Sequence, residues 1–467
     1  MKLDDELNKL KDNIPENNLD YKVIYNKSKI KSNRTINSKR LMYLTLAIVG
    51  ALIISICSIF PFIKNDTNNY SDQLVSLIQD INYEKVNEEP IDYDLFIDKY
   101  NIFSEKIASE LVNNGENNVV SPYSIFSCLV LISAVCDNNS KDEILNALDM
   151  SEELILNNYP YFYSKHNYEI NTLNVTGTKE STYNSIWIQH GLETNKNTID
   201  SLTNNYYCYP YYINFKNNVE ANKIIKEYVY NNTEGLINQN FNLSSDTIIS
   251  LINVNYLKDA WNDGDLTKTD NYNFTNNDNT TKNVQFNKTE YILGKIQKEV
   301  NYSHFYTRTR RYNIKFVLPD NNINIHDIFN NELISNVNNS TYTANDDNIY
   351  LTSCIFPTFK LESDLITLND ILSNKFGIKD IFNISKCDLS KLLNVDAYFS
   401  KIIHKAVLEV NEKGIKAAAV TMGIVETTSI NLTKEPIYED FILDKSFGVI
   451  ITNFNDEILY TGIVDNI

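Results

Sequence analysis

No cysteine in this chain has a partner at CxxC spacing, and no His/Cys cluster has the spacing of a zinc site. Cys57, Cys128, Cys136, Cys208, Cys354 and Cys387 are scattered instead. Neither a metal centre nor a cofactor is expected, and a core this large does not need a disulfide framework. Cys128 and Cys136 stand in apolar surroundings and read as small buried hydrophobes. Positive charge is also short: 42 Lys and Arg face 60 Asp and Glu, for a formal net charge of −18. That excludes a nucleic-acid partner, whose phosphates need a basic footprint; otherwise it reflects solubility. A GxSxG elbow for a hydrolase nucleophile is missing, and no repeat recurs at a fixed period. What is present suffices for a sizeable core, with 43% hydrophobic and 12% aromatic residues among 467. A chain of that length holds one large domain or two or three ordinary ones.

Leu41 to Ile63 (LMYLTLAIVGALIISICSIFPFI) carries no charge, and its length matches the roughly 20 apolar residues that cross a bilayer. It is apolar on every side and too long and too far from the start for a cleaved signal peptide. Lys22, Lys27, Lys29, Lys31, Arg34, Lys39 and Arg40 precede it, whereas Lys64 is nearly alone after it. The positive-inside bias therefore places residues 1–40 in the cytoplasm and the C-terminal part outside, as a single-pass protein. Residues 64–90 are polar and read as an extracellular stalk, and residues 91–467 as one domain.

Within that domain Phe96, Tyr100, Phe103, Ile107 and Leu111 form one helical stripe, which ends at Asn113-Asn114-Gly115. Val119-Val120 predicts a short strand turning into a second helix with Pro122 in its first turn. Strands are expected at 185–189, 247–258, 350–360 and 398–409, and helices at 219–230 and 366–375. A closing hairpin pairs 447–453 with 457–464 around Asn455-Asp456. Helices come mostly first and strands later, which makes the class α+β.

Two groups of residues point to function. Ser121, Ser124, Asn253 and His404 each put a hydrogen-bonding side chain into an otherwise apolar stretch, and buried polar groups must be paired. The second group is Glu412-Lys413-Gly414-Ile415-Lys416-Ala417-Ala418-Ala419-Val420-Thr421. A glycine followed by small residues makes a segment able to live outside a sheet and later slide between two strands. In a strand, Ile415, Ala417, Ala419 and Thr421 share one face and Lys416, Ala418 and Val420 the other. The first set is small or apolar and can be buried.

These pieces resemble the serpin family over about residues 91–467. Asn118–Ile125 is similar to the family's "NVVFSPLSI", Leu251–Lys258 with Trp261 to "LVNAIYFKG…W", and Pro357–Glu362 to "PKFKLE". Gly377–Phe382 is similar to "LGITDLF", and His404–Gly414 nearly matches a family consensus. The resemblance implies helices around three β-sheets with an exposed reactive loop. Ser121, Ser124, Asn253 and His404 would form the shutter beneath the central sheet. Trp261, Lys413 and Glu412 would form the breach where loop insertion begins, with Glu412 needing a cation partner to hold the uninserted state. Glu412, Gly414, Ile415, Ala417, Ala418, Ala419 and Thr421 would form the hinge.

What the family does follows from the same resemblance. A serine protease, alternatively a cysteine protease, attacks the loop, forms an acyl-enzyme and is dragged across the molecule as the cut loop inserts. The inhibitor supplies no catalytic residue and is expected to be a monomer. The family's spacing, counted from Gly414, puts the cut at Thr428-Ser429; counting back from Phe447 gives Lys434-Glu435, because the segment is longer than usual. Ile415 replaces the family's Thr or Ser, and its bulk would slow insertion at a cost of ~1–3 kcal/mol. Ile415 and the loop length leave open a non-inhibitory serpin serving as a cell-surface binding or structural module. A cell-surface hydrolase is the third class, but it lacks a nucleophile constellation.

Overall fold

In the computed structural model the described residues are 74–76, 86, 88–113, 115–172, 179–261, 264–343, 348–415 and 435–467. The tail 1–40, the apolar run Leu41–Ile63, most of 64–90 and residues 416–434 lie outside them. Among the described residues no helix is long and apolar enough to cross a membrane.

Among the described residues three larger sheets, a two-stranded pair and a set of helices pack around one main apolar cluster and two smaller ones. The large sheet has seven strands, in the order Leu74–Ser76, Cys208–Ile213, Lys179–Gln189, Ile249–Ala260, Gly414–Ile415, Val407–Asn411 and Phe359–Glu362. A six-stranded sheet holds the C-terminal hairpin, Phe447–Asn453 with Ile458–Val464, between Val119–Val120 and Tyr312–Pro319. A five-stranded sheet has Tyr350–Pro357 near its centre, in parallel pairing with Ile437–Ile442. Leu74–Ser76, within the segment read as stalk, pairs antiparallel with Cys208–Ile213 and forms an edge of the large sheet.

The second helix, Pro122–Val135, is buried on almost every side. Its sequence, PYSIFSCLVLISAV, lacks a polar face because it runs through the core. Ser121 starts it as N-cap, its hydroxyl accepting the Ser124 N–H at 3.3 Å, with Pro122 in the first turn where a missing N–H costs nothing. The first helix, Tyr93–Leu111, lays Phe96, Tyr100 and Phe103 against Phe126 of the second with ring centroids 5.0–6.0 Å apart. Burial of each such ring is worth ~1.5–3 kcal/mol.

The sequence pattern misplaces some boundaries. The strand expected over 350–360 is two strands, Tyr350–Pro357 and Phe359–Glu362, in different sheets. The apolar run from Cys354 to Phe359, interrupted only by Thr358, hides the crossing at Pro357-Thr358. The strand expected over 398–409 is split into Ile403–His404 and Val407–Asn411, and the helix expected from Ile366 starts at Asn369. Ile366-Thr367 instead pairs with Ile403-His404. Local periodicity cannot see that long-range pairing.

A buried histidine ties a long helix to two sheets. His166, on helix Glu152–Thr172, lies with Nδ1 2.8 Å from Glu180 Oε1 and Nε2 2.8 Å from Glu457 Oε2. Glu180 belongs to the large sheet and also accepts the Tyr312 hydroxyl at 2.5 Å. Glu457 precedes the last strand and accepts from Tyr93 at 3.1 Å, Lys165 at 3.3 Å and Asn453 at 2.6 Å. Burial alone would push the imidazolium down, but the Glu180 and Glu457 carboxylates outweigh it and hold the His166 pKa at about 9. The Lys165 and His166 charges likewise hold the Glu457 carboxyl below its usual range, against its own burial.

A folded-state pKa raised above the unfolded value stabilises fully below about pH 6.5, and the gain disappears as pH rises through 9. Chemical denaturation of the wild type should therefore lose up to ~3 kcal/mol between pH 6.5 and 9.5. His166→Gln, which does not titrate, should be less stable at pH 6.5 and show a flatter slope. An unchanged slope would remove His166 from this role.

Candidate functional site

The site forms where two strands of the large sheet stand apart. No ladder pairing joins Ile249–Ala260 directly to Val407–Asn411; at one end the two-residue strand Gly414-Ile415 pairs with both. Ile415 lies opposite Val410 on one side and Asp259 on the other. Beyond this wedge a cavity of about 100 Å³ runs between the strands, lined in part by Ile252, Val254, His404, Val407, Leu408 and Ile415.

Gly414 is required at the wedge. Its φ is +136°, and a Cβ would stand 2.1 Å from the Asp259 carbonyl oxygen and 2.8 Å from the Ala260 Cα. No side chain fits between those backbones. Ile415 is 1% exposed and packs in the main core. Residues directly opposite in a sheet share a face, so Ile415 points inward with Val410 and Asp259. Ile415 thus lies within the sheet in the uncut chain.

The expected breach residues surround the wedge. The Trp261 indole N–H donates to the Asn411 carbonyl at 2.9 Å, and the ring is buried against Phe356 with centroids 5.9 Å apart. The Leu266 N–H donates to the Glu412 carbonyl at 2.7 Å, and the Lys413 N–H to Asn411 Oδ1 at 2.9 Å. Glu412 and Lys413 are half-buried in this turn. Among the described residues the Glu412 carboxylate has no ion-pair partner, so the expected cation is not found there.

Ser121, Ser124, Asn253 and His404 come together at the floor of the cavity. Ser124 Oγ donates to Asn253 Oδ1 at 2.5 Å, and the Ser121 backbone N–H donates to His404 Nε2 at 3.2 Å. The Ser121 hydroxyl is the helix cap, so its contribution to His404 is made by the main chain. Asn253 Nδ2 continues the network to Asn184 Oδ1 at 2.7 Å, and Asn184 Nδ2 to Tyr159 Oη and the Tyr206 carbonyl, both at 3.0 Å. On the same face, Asn255 donates to Thr182 Oγ1 at 3.1 Å and accepts from the Tyr460 hydroxyl.

Asn184, Asn255 and Thr182 escaped the sequence reading. Asn255, two residues after Asn253 in one strand, carried a period-two signal that could have found it. Asn184 gave only the signal of an amide inside an apolar strand, and that strand was expected to start after it.

The hinge residues Ala417, Ala418, Ala419 and Thr421, and the candidate bond residues Thr428, Ser429 and Lys434, lie outside the described residues. Glu435 is described and exposed, just before strand Ile437–Ile442.

Burial pushes the His404 pKa down to about 4, leaving a neutral ring whose Nε2 can accept the Ser121 N–H. Protonation would turn that acceptor into a donor facing a donor. A depressed histidine pKa stabilises fully above about pH 6.5, and the gain is lost as pH falls toward 4. The wild type should lose up to ~3 kcal/mol of stability between pH 7 and 4 from this group. His404→Gln should flatten the acid limb of a denaturation series; an acid limb as steep as the wild type's would show that His404 is not its source.

A family model described as serpin (serine protease inhibitor) matches residues 98–467. Serpin A3-1 of Bos taurus is 28% identical over 341 residues, covering 69% of this chain and 78% of that protein. The leukocyte elastase inhibitor of Homo sapiens is 30% identical over 256 residues, covering 52% of this chain and 65% of that one. The crystal structure of the thermophilic serpin tengpin in its native state aligns with a TM-score of 0.70 at 23% identity, over 85% of this chain and 100% of that one. Serpins are protease inhibitors rather than enzymes, consistent with a site built from caps, amides and a neutral imidazole. By this match and this fold, the chain belongs to the serpin family.

Proposed function

We propose that this chain is an inhibitory serpin, held at the membrane by Leu41–Ile63, that captures extracellular serine proteases by inserting its cut reactive loop into the large sheet. The observation that carries the reading is the wedge. Gly414-Ile415 is already paired on both sides between strands that are otherwise unjoined. Unpaired strand edges are a template for a further strand, and the cavity beyond Ile415 follows the path a continuing strand would take. Extending the register turns Ala417, Ala419 and Thr421 to the inward face with Ile415, where small residues fit over Ser124 and Asn253. Lys416, Ala418 and Val420 fall on the opposite face.

The target cuts the loop at Thr428-Ser429 in this reading, with Lys434-Glu435 as the alternative. Thr428 suits an elastase-like or subtilisin-like protease, and Lys434 a trypsin-like one. Hinge-side length is the mechanically constrained one, which favours Thr428.

Incubation with a panel of serine proteases should give a covalent complex on denaturing gels, with a released C-terminal fragment whose mass identifies the bond. Ala419→Arg should abolish the complex while leaving the uncut protein's Tm within about 2 °C, as for a substitution outside the core. Nicking by every active protease without any complex would overturn inhibition and leave the non-inhibitory module. Complexes surviving Ala419→Arg would overturn the hinge assignment.

In membranes from expressing cells the chain should stay in the pellet after alkaline carbonate extraction. On intact cells, external protease should remove residues 91–467 and spare an epitope placed before Leu41. Extraction into the supernatant would overturn the anchor.

A further inference from the structure

Two cysteines far apart in sequence meet at the base of the second helix. Cys136 is the C-cap of helix Pro122–Val135, and Cys387 lies in the connection leading from the turn Asp380–Phe382 toward strand Ile403–His404. Both are free thiols. The segments that carry them are fastened by several bonds. The Asp137 N–H donates to the Asp388 carbonyl at 3.0 Å, Asn138 Nδ2 to Asp388 Oδ2 at 2.6 Å, and the Asp388 N–H to Ser140 Oγ at 3.0 Å. Each cysteine therefore sits one residue before a partner in that main-chain hydrogen bond, which brings the two cysteine positions next to each other. Cys136 is fully buried and Cys387 only partly.

We propose that Cys136 and Cys387 are a redox pair that closes to a disulfide and staples the second helix to the connection before His404. The more exposed Cys387 is the attacking group: the neighbouring Cys136 holds its thiol below the usual range, while Cys136 itself is pushed up by Cys387 and by burial. Cys387 releases its proton to solvent, from which the second glutathione later takes one up, and its thiolate attacks a small-molecule disulfide such as oxidised glutathione, forming a mixed disulfide and expelling one glutathione thiolate. Cys136 then gives its proton to that thiolate and attacks the Cys387 sulfur, releasing the second glutathione. Two protein thiols are oxidised and one glutathione disulfide is reduced to two thiols, so electrons and protons balance.

The staple joins the helix that Ser121 caps and that carries Ser124 to the connection that leads on to the strand carrying His404. Strand Ile249–Ala260, with Asn253, stays outside the covalent link. One border of the cavity is thereby stiffened without tying the two strands to each other. The pairing does not depend on the inhibitory reading or on the anchor, although an oxidising exterior would favour it.

The full chain, purified in detergent in reduced form, is equilibrated across glutathione redox buffers; remaining thiols are then alkylated and mapped by peptide mass spectrometry. The expected result is loss of two of the six thiols, one linked peptide pair joining Cys136 to Cys387, and a Tm raised by several degrees that reductant reverses. Cys136→Ser should leave Cys387 as a stable glutathione adduct, and Cys387→Ser should leave Cys136 open to alkylation after unfolding. Recovery of both cysteines as alkylated thiols across the whole buffer range would overturn the proposal. So would pairing of either with a different cysteine, or a Tm shift that persists in the double serine variant.

Discussion

The arrangement of the large sheet depends on two residues that act as a spacer. Gly414 and Ile415 pair with Ala260 and Asp259 on one side and with Asn411 and Val410 on the other. The spacing is set by backbone approach: the Asp259 carbonyl comes so close to Gly414 that no Cβ is tolerated, and the +136° φ belongs to glycine in any case. Trp261 reinforces the wedge by bonding the Asn411 carbonyl. A sheet held open at one end by so short a strand stores an unmet demand for backbone partners along the facing edges. A strand that entered there would gain a ladder on both sides, which is the free energy an insertion mechanism needs.

His166 and His404, two of the three buried histidines among the described residues, show opposite solutions to the same burial cost. His166 is flanked by two carboxylates and is stabilised as a cation, so it works as an ionic clamp between helix Glu152–Thr172 and two sheets. His404 faces a backbone N–H and has no carboxylate beside it, so burial keeps it neutral and an acceptor. A charged clamp suits a contact between elements that stay together. A neutral hydrogen bond would suit a border that parts when a further strand enters, because separating it exposes no unpaired charge to a low-dielectric interior. The amide relay from Ser124 through Asn253 to Asn184 follows the same logic, holding strand Ile249–Ala260 by exchangeable neutral bonds.

Much of the architecture was legible from local pattern. The apolar stripe from Phe96 to Leu111, the Ser-Pro start of the second helix and the hairpin turn at Asn455-Asp456 all fall within a few residues of where periodicity and turn chemistry put them. Pattern failed where a strand changes partner. Apolar residues run from Cys354 to Phe359 with only Thr358 between them, yet Pro357 and Phe359 belong to different sheets. The site was legible in its members and not in its wiring. The four polar residues were found because each interrupts an apolar stretch, but only the fold shows that Ser121 caps a helix with its hydroxyl and meets His404 through its main chain.

By itself the sequence determined which segments could be buried, which polar residues would need partners in the core, and that Gly414 opens a run of small side chains. These are properties of composition and spacing, and they hold whatever lies opposite. Tertiary structure alone decided what lies opposite. It put Ile415 between Val410 and Asp259, with its side chain buried in the core. It brought Cys136 within reach of Cys387 and gave His166 its two carboxylates. Contacts between residues hundreds of positions apart leave no local period to read, because they are set by how helices and sheets stack.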